Sequence, residues 1–167
     1  MAGAHTLAET ERQVTSKLGD LTIDFRATAV ASNLFRAATA VRNYFERNVL
    51  AKHDLSWTAF VVLWVVWIWE PIETRQIAEE GGFSKATLTG VLTTLENRSL
   101  LVRRKSDTDG RLVLVDLTPA GRTLMKGLFP EFNAGESEVS SMFNEAQKDQ
   151  LADMLRSMTA FTEASSR

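Results

Sequence analysis

The chain contains no cysteine, which excludes disulfides, thiolate redox switches and cysteine-ligated zinc together. Its two histidines, His5 and His53, stand far apart, so no metal site is expected, and no motif asks for a cofactor. A glycine-rich phosphate loop, a paired-histidine motif and a readable carboxylate pair are all missing, which argues against an enzyme. The longest run of large apolar residues, Phe60–Trp69, is ten residues long, against the roughly 20 that a membrane helix needs. Met1–Asp20 mixes acids with bases around no apolar centre, so it is not expected to be a signal peptide. A cytoplasmic protein with no membrane attachment is the expectation. With 44% hydrophobic and 24% charged residues in a chain of 167, burying a core is no difficulty.

Charge is scarce overall and unevenly placed. The total is −2, yet the stretch from Ser84 to Arg111 holds six bases (Lys85, Arg98, Arg103, Arg104, Lys105, Arg111) against three acids. That segment is net +3 on an acidic remainder. A basic patch on an acidic body confines electrostatic attraction to one face, as a nucleic-acid binder requires.

Periodicity orders the chain. Apolar residues recur at helical spacing from Ile23 to Leu50 (Val30, Leu34, Ala37, Ala38, Val41, Phe45) with no glycine or proline between them, predicting one long amphipathic helix broken at Lys52-His53-Asp54. Ser56 then caps Trp57–Trp69, apolar on nearly every side and therefore enclosed. Glu70-Pro71 ends it. A short helix, Glu73–Glu80, closes on Gly81-Gly82, and Ser84 caps a further helix to about Arg98 with Leu88, Val91, Leu92 and Leu95 inward. Two short helices about a glycine-containing turn are a helix-turn-helix signature. Leu101–Lys105 and Leu112–Leu117 are β-prone and flank an Asp109-Gly110 turn, which predicts a hairpin with a basic strand and a polar tip. Thr118-Pro119 opens another helix, expected to kink or split at Pro130 and to bend again near Gly135. Asn144 to Gln147 resembles a capping box for a last helix with a stripe of Leu151, Met154, Leu155, Met158 and Phe161.

The segment from about Leu55 to Leu124 resembles the MarR family. The matching residues are Leu55-Ser56, Phe60-Val61-Val62-Leu63, Gln76-Ile77-Ala78, Ser84, Thr89, Leu95-Glu96, Leu100, Arg103, Asp109-Gly110-Arg111 and Leu117-Thr118-Pro119-Ala120-Gly121-Arg122. Each piece is weak alone; their order and spacing are specific. The resemblance implies a mainly α fold with a small β-hairpin wing. Residues 1–50 would form a tail and dimerisation helix, 51–118 a winged helix-turn-helix DNA-binding domain, and 119–167 C-terminal dimerisation helices. It further implies a homodimer on double-stranded DNA at a pseudo-palindromic operator. The recognition helix would lie in the major groove and the wing at the minor groove, and an aromatic acid or phenol would commonly release the complex. Three positions depart from the family pattern: Lys85 where proline often follows the cap, Gly90 where arginine often stands, and Ser106 in place of a wing acid. Val61 stands where the urate-responsive branch has a carboxylate, so urate is not the expected effector.

Affinity for DNA rests on phosphate neutralisation and specificity on side chains at base edges. Ser84, Lys85, Thr87, Thr89 and Thr93 are expected on the outward side of the fourth helix. Gly90, costly in mid-helix, suggests either close approach of a backbone, from a phosphate or a neighbouring helix, or simple drift. Arg103 and Lys105 are expected on one strand face, Arg111 in a narrow minor groove. Asp109 is expected to hold the turn or pair with an arginine such as Arg103. Trp57, Trp64 and Trp67 lie roughly along one side of their helix, where they suit core packing and also an aromatic effector pocket, with Arg42 a partner for an acid. His53 reads as a helix-end residue. The rival reading is a winged-helix protein-interaction module, which the basic wing disfavours.

Overall fold

Side-chain caps set most of the helix boundaries in the computed structural model, which describes residues 5–165. By their contacts these form two compact units, one up to Asn43 and one from Tyr44 onward.

In the first unit, α1 (Leu7–Leu18) starts from a reciprocal cap in which the Thr6 hydroxyl accepts the Glu9 N–H and the Glu9 carboxylate accepts the Thr6 N–H. This segment was expected to be a tail. The Thr6-x-x-Glu9 spacing is the signal that identifies it. None of its residues is buried. The long helix α2 (Phe25–Asn48) begins where the Asp24 carboxylate accepts the N–H groups of Arg26 and Ala27. It continues into the second unit.

There a 3-10 turn, Leu50–His53, leads to Asp54 in the left-handed region (φ 52°). The Arg98 guanidinium donates to the carbonyls of Asp54 and His53 at 2.6 and 3.0 Å, which fixes this turn. Helix α3 (Trp57–Trp69) follows, its first turn capped by the Ser56 hydroxyl. As its composition requires, it is the centre of the unit. Ala59, Phe60, Val62, Leu63, Val65 and Val66 are buried, and α3 packs on α4 (Thr74–Gly81), α5 (Lys85–Asn97), β3 (Val113–Leu117) and α6 (Pro119–Val139). Leu50, Leu63, Ile77, Leu92, Leu95, Leu101, Met125 and Leu128 complete a dry core. Ile68 and Trp69, at the end of α3, are exposed.

The hairpin β2 (Leu101–Lys105) and β3 is antiparallel, with Arg103 opposite Val115. A strand not foreseen, β1 (Ile72–Glu73), adds to β3 by pairing Ile72 with Val115, giving the order β1-β3-β2. Two residues are too short to show a period of two. The loop 106–112 joins the strands of the expected hairpin, and Gly110 is not among the glycines with positive φ, so the Asp-Gly pair does not form a type I′ turn. The helix-turn-helix turn does follow expectation, with Gly82 left-handed (φ 65°).

Helix α6 runs unbroken through Pro130 to Val139, against the expected split. Pro130 and Lys126, whose carbonyl loses its partner, are both exposed, so water can satisfy that carbonyl. Gly135 marks a close approach. A Cβ there would stand 2.7 Å from the Phe45 ring. Helix α7 (Glu145–Ala164) starts at the reciprocal Asn144–Gln147 cap and buries no residue. No helix among the described residues is long and apolar enough to cross a membrane.

Candidate nucleic-acid interface

Helix α5 buries Leu88, Leu92 and Leu95 and exposes Lys85, Ala86, Thr87, Thr89, Gly90, Thr93 and Thr94. The Ser84 hydroxyl accepts the Thr87 N–H at 3.1 Å and lies 2.8 Å from the Thr87 hydroxyl, so both are fixed at the helix start. Thr89 and Thr93 donate their hydroxyls to the carbonyls of Lys85 and Thr89 at 2.8 and 3.0 Å. The residues expected on one outward side are all exposed, but Lys85 and Thr87, two positions apart, lie on opposite flanks of the helix. Opposite the buried leucines, however, lie Ala86, Gly90 and Thr93 at i, i+4 and i+7, and Ala86 had not been singled out. Nothing lies within 4 Å of where a Gly90 Cβ would stand. That removes the neighbouring-helix explanation for Gly90 and leaves open space above it.

The wing is braced against this helix. Arg103 and Lys105 share the β2 face that carries Leu101, but their surroundings differ. The Arg103 Nε donates to Glu96 Oε2 at 3.0 Å, and Arg103 N–H donates to the same carboxylate. This chelation holds the Glu96 carboxyl below its ordinary range, the hydrogen bond from the Arg103 side chain being the main cause. Arg103 is thus half-buried while Lys105 is exposed. Arg104, on the other face, pairs with Asp116 at 3.0 Å. Asp109 accepts the backbone N–H of Arg111 at 2.9 Å, so it holds the turn, while the arginine proposed as its alternative partner is bound to Glu96. Arg111 projects from the tip, exposed and in no ion pair among the described residues. Between α4, the start of α5 and the wing lies a cavity of about 450 Å³ rimmed by Arg75, Lys85 and Arg103 over Leu88 and Leu92.

Residues 55–113, which contain this helix-turn-helix and most of the wing, match the MarR family profile. The chain is also 37% identical over 153 residues to the HTH-type transcriptional regulator YwaE of Bacillus subtilis, spanning 90% of each chain. The chain belongs to the MarR family. Among solved structures it resembles the transcriptional regulator PA4135, at 25% identity and a TM-score of 0.72, over 78% of this chain and 95% of that one. It also resembles Bordetella bronchiseptica BpsR, whose DNA binding is regulated by 6-hydroxynicotinic acid. That match has 27% identity and a TM-score of 0.71 and covers 78% and 98% of the two chains. As a MarR-family member the chain is a winged-helix, DNA-binding transcriptional regulator and not an enzyme.

The tryptophans of this MarR-family chain do not form one row. Trp57 lies in a cluster with Phe45, Phe60 and Phe132, in which Phe132 stacks on Phe45 and Phe60 at 4.1 and 4.2 Å between ring centroids. Trp64 and Trp67 form a second cluster with Phe129, which stacks on Trp64 at 4.7 Å. All three tryptophans are half-buried. Their contacts are those of aromatic packing between α3 and α6, which the sequence allowed beside the pocket reading. Arg42 is exposed on the part of α2 in the first unit. His53 faces Glu131 of α6 at 3.4 Å, a contact across 78 positions that no local pattern shows. His5 is exposed.

Proposed function

We propose that this MarR-family regulator is a homodimeric repressor. It binds a pseudo-palindromic operator with α5 in the major groove and Arg111 in the minor groove, and it lets go when a planar aromatic acid or phenol binds. The observation that carries the DNA contacts is the juxtaposition on one face of an α5 surface without bulk and a wing locked to it through Arg103–Glu96, with Arg111 free at its tip. A cationic loop at the end of a short hairpin reaches a narrow groove whose negative potential favours guanidinium. Ser84, Lys85, Thr87 and Lys105 serve phosphates, and Thr89, Gly90 and Thr93 face bases. Asp109 shapes the turn.

Dimerisation is supported by α7, where Leu151, Met154, Leu155, Met158 and Phe161 are all exposed at helical spacing. A stripe of that size on a single chain asks for a partner surface. The aromatic effector is supported by the half-buried Trp64–Trp67–Phe129 shelf, by the absence of cysteine, which removes thiol oxidation as trigger, and by the behaviour stated for BpsR. The effector must favour the DNA-incompetent form, since equal affinity for both shifts nothing. Such a regulator works in the cytoplasm, on the chromosome.

A gel-shift titration with DNA from upstream of its own gene tests this reading. Arg111→Ala is expected to weaken binding at least tenfold with the thermal midpoint unchanged. Aromatic acids such as hydroxybenzoates or hydroxynicotinates are expected to quench tryptophan emission and release the fragment over the same concentration range. Unchanged affinity in Arg111→Ala removes the wing from the interface. Indifference of both signals to millimolar aromatic acids and phenols removes the effector.

A further inference from the structure

The exposed face of α5 has unusual chemistry for a base-reading surface. Between Lys85 at its start and Asn97 at its end it carries no arginine, lysine, asparagine or glutamine. Its central line is Ala86, Gly90 and Thr93, flanked by Thr89 and Thr94. The threonine hydroxyl hydrogens are already committed: Thr89 donates to Lys85 O at 2.8 Å, Thr93 to Thr89 O at 3.0 Å, and Thr94 to Gly90 O at 3.0 Å. What remains for a partner is methyl groups and oxygen lone pairs. A G·C pair and an A·T pair each present two acceptors and one amino donor in the major groove, but guanine sets both acceptors, N7 and O6, side by side for a bidentate donor that this surface lacks, and only the A·T pair adds a methyl group. An A·T pair presents the thymine 5-methyl group and the adenine amino hydrogen. The first suits the threonine and alanine methyls, and the second suits a threonine oxygen. The open space over Gly90 and the single methyl of Ala86 let the groove floor come close enough for methyl contact.

We propose that α5 selects A·T pairs at the centre of each half-site by packing the methyls of Thr89, Thr93 and Ala86 against thymine 5-methyl groups, not by hydrogen bonds to guanine. This rests on the DNA-binding arrangement proposed above. It also explains Gly90: an arginine there would reinstate a guanine reader and fill the space.

The test uses the full chain. A duplex is selected from a randomised pool at low salt, then resynthesised with deoxyuridine in place of thymidine, or with 7-deazaguanine in place of guanine. Uracil removes only the major-groove methyl and leaves the minor-groove edge, read by the wing, unaltered. One methyl taken out of water is worth about fourfold in affinity, so a single contact in each of the two half-sites already gives more than tenfold. The wild type is expected to bind the uracil duplex at least about tenfold more weakly and the 7-deazaguanine duplex within about twofold. Thr89→Ser/Thr93→Ser, which keeps the hydroxyls and loses the two threonine methyls, is expected to show a uracil effect severalfold smaller than the wild type's, the remainder being the contact of the Ala86 methyl. Equal wild-type affinity for thymine and uracil duplexes, with a scrambled duplex bound more weakly, overturns the methyl reading and leaves DNA binding intact. An undiminished uracil effect in the double variant also overturns it, because the methyl then acts through duplex shape. Failure to enrich any duplex overturns the DNA arrangement itself.

Discussion

The apolar residues of the winged-helix region and those of the terminal helices meet opposite surroundings. From Phe45 to Phe132 the large side chains of the Leu50–His53 turn, α3, α4, α5, the sheet and α6 close on one another, and eleven of them are fully buried. In α1 and α7 no residue is buried. Phe35 in α2 and Phe161 in α7 are 74% and 73% exposed. The helices of the two regions are equally well formed, so the difference is not one of local propensity. The winged-helix region supplies its own partner surfaces, and in the dimer proposed above the terminal stripes take theirs from another chain. A stability that is intrinsic in one region and dependent on association in the other follows.

The largest effects come from separating the two. Leu92→Ala, in the fully buried set, is expected to cost about 2–5 kcal/mol in denaturant unfolding whatever the protein concentration. Leu155→Asp is expected to leave the winged-helix core folded, with native near-ultraviolet dichroism, while shifting sedimentation towards single chains and abolishing tight operator binding. A Leu155→Asp variant that unfolds outright would show that α7 belongs to the core region after all.

Two glycines sharpen the contrast at the next scale. At Gly121 a Cβ would stand 2.0 Å from the Leu100 carbonyl oxygen, so Gly121→Ala is expected to destabilise by on the order of 3 kcal/mol, as overpacking against backbone does. At Gly90 the space is open, and Gly90→Ala is expected to stabilise α5 by roughly 0.5–1 kcal/mol yet weaken operator binding. Opposite signs in stability and affinity at Gly90 identify a surface kept bare for a ligand. A parallel gain in both would make it an ordinary weak point of the helix.

The smallest effect is at the wing hinge. Folding lowers the Glu96 carboxyl below its ordinary value through the hydrogen bond from Arg103. Its contribution is therefore present above that value and lost as pH falls through the folded one. The difference in unfolding free energy between wild type and Glu96→Gln is expected to be constant near neutrality, no more than about 1 kcal/mol for so exposed a pair, and to shrink in acid. A difference that grows in acid contradicts the sign.

Much of this was legible in the residues. Ser56, Ser84, Thr118 and Asn144 each cap the helix that the apolar spacing beyond them predicts, and Gly82 turns where the pattern asks for it. Contacts fixed by distant partners were not legible. Strand β1 is defined by its pairing, Ile72 and Glu73 lying on the edge that β3 offers at Val115 and Leu114. Arg103 reads as one more wing cation until Glu96 is seen to hold it. The three tryptophans read as one row on a bare helix, and phenylalanines of α6 divide them into two clusters. Ala86 was passed over because alanine signals nothing by itself; its significance appears only with the buried face of α5 known. Helix α1 was legible and overlooked, since its capping residues precede few apolar ones.

The most direct test of the division between self-sufficient core and partner-dependent ends is the stoichiometry on one operator. Sedimentation velocity of the full chain with a single selected palindromic duplex is expected to show two protomers per duplex, with free protein sedimenting as a dimer at the same concentration. A free monomer that binds one per duplex with undiminished affinity would contradict it.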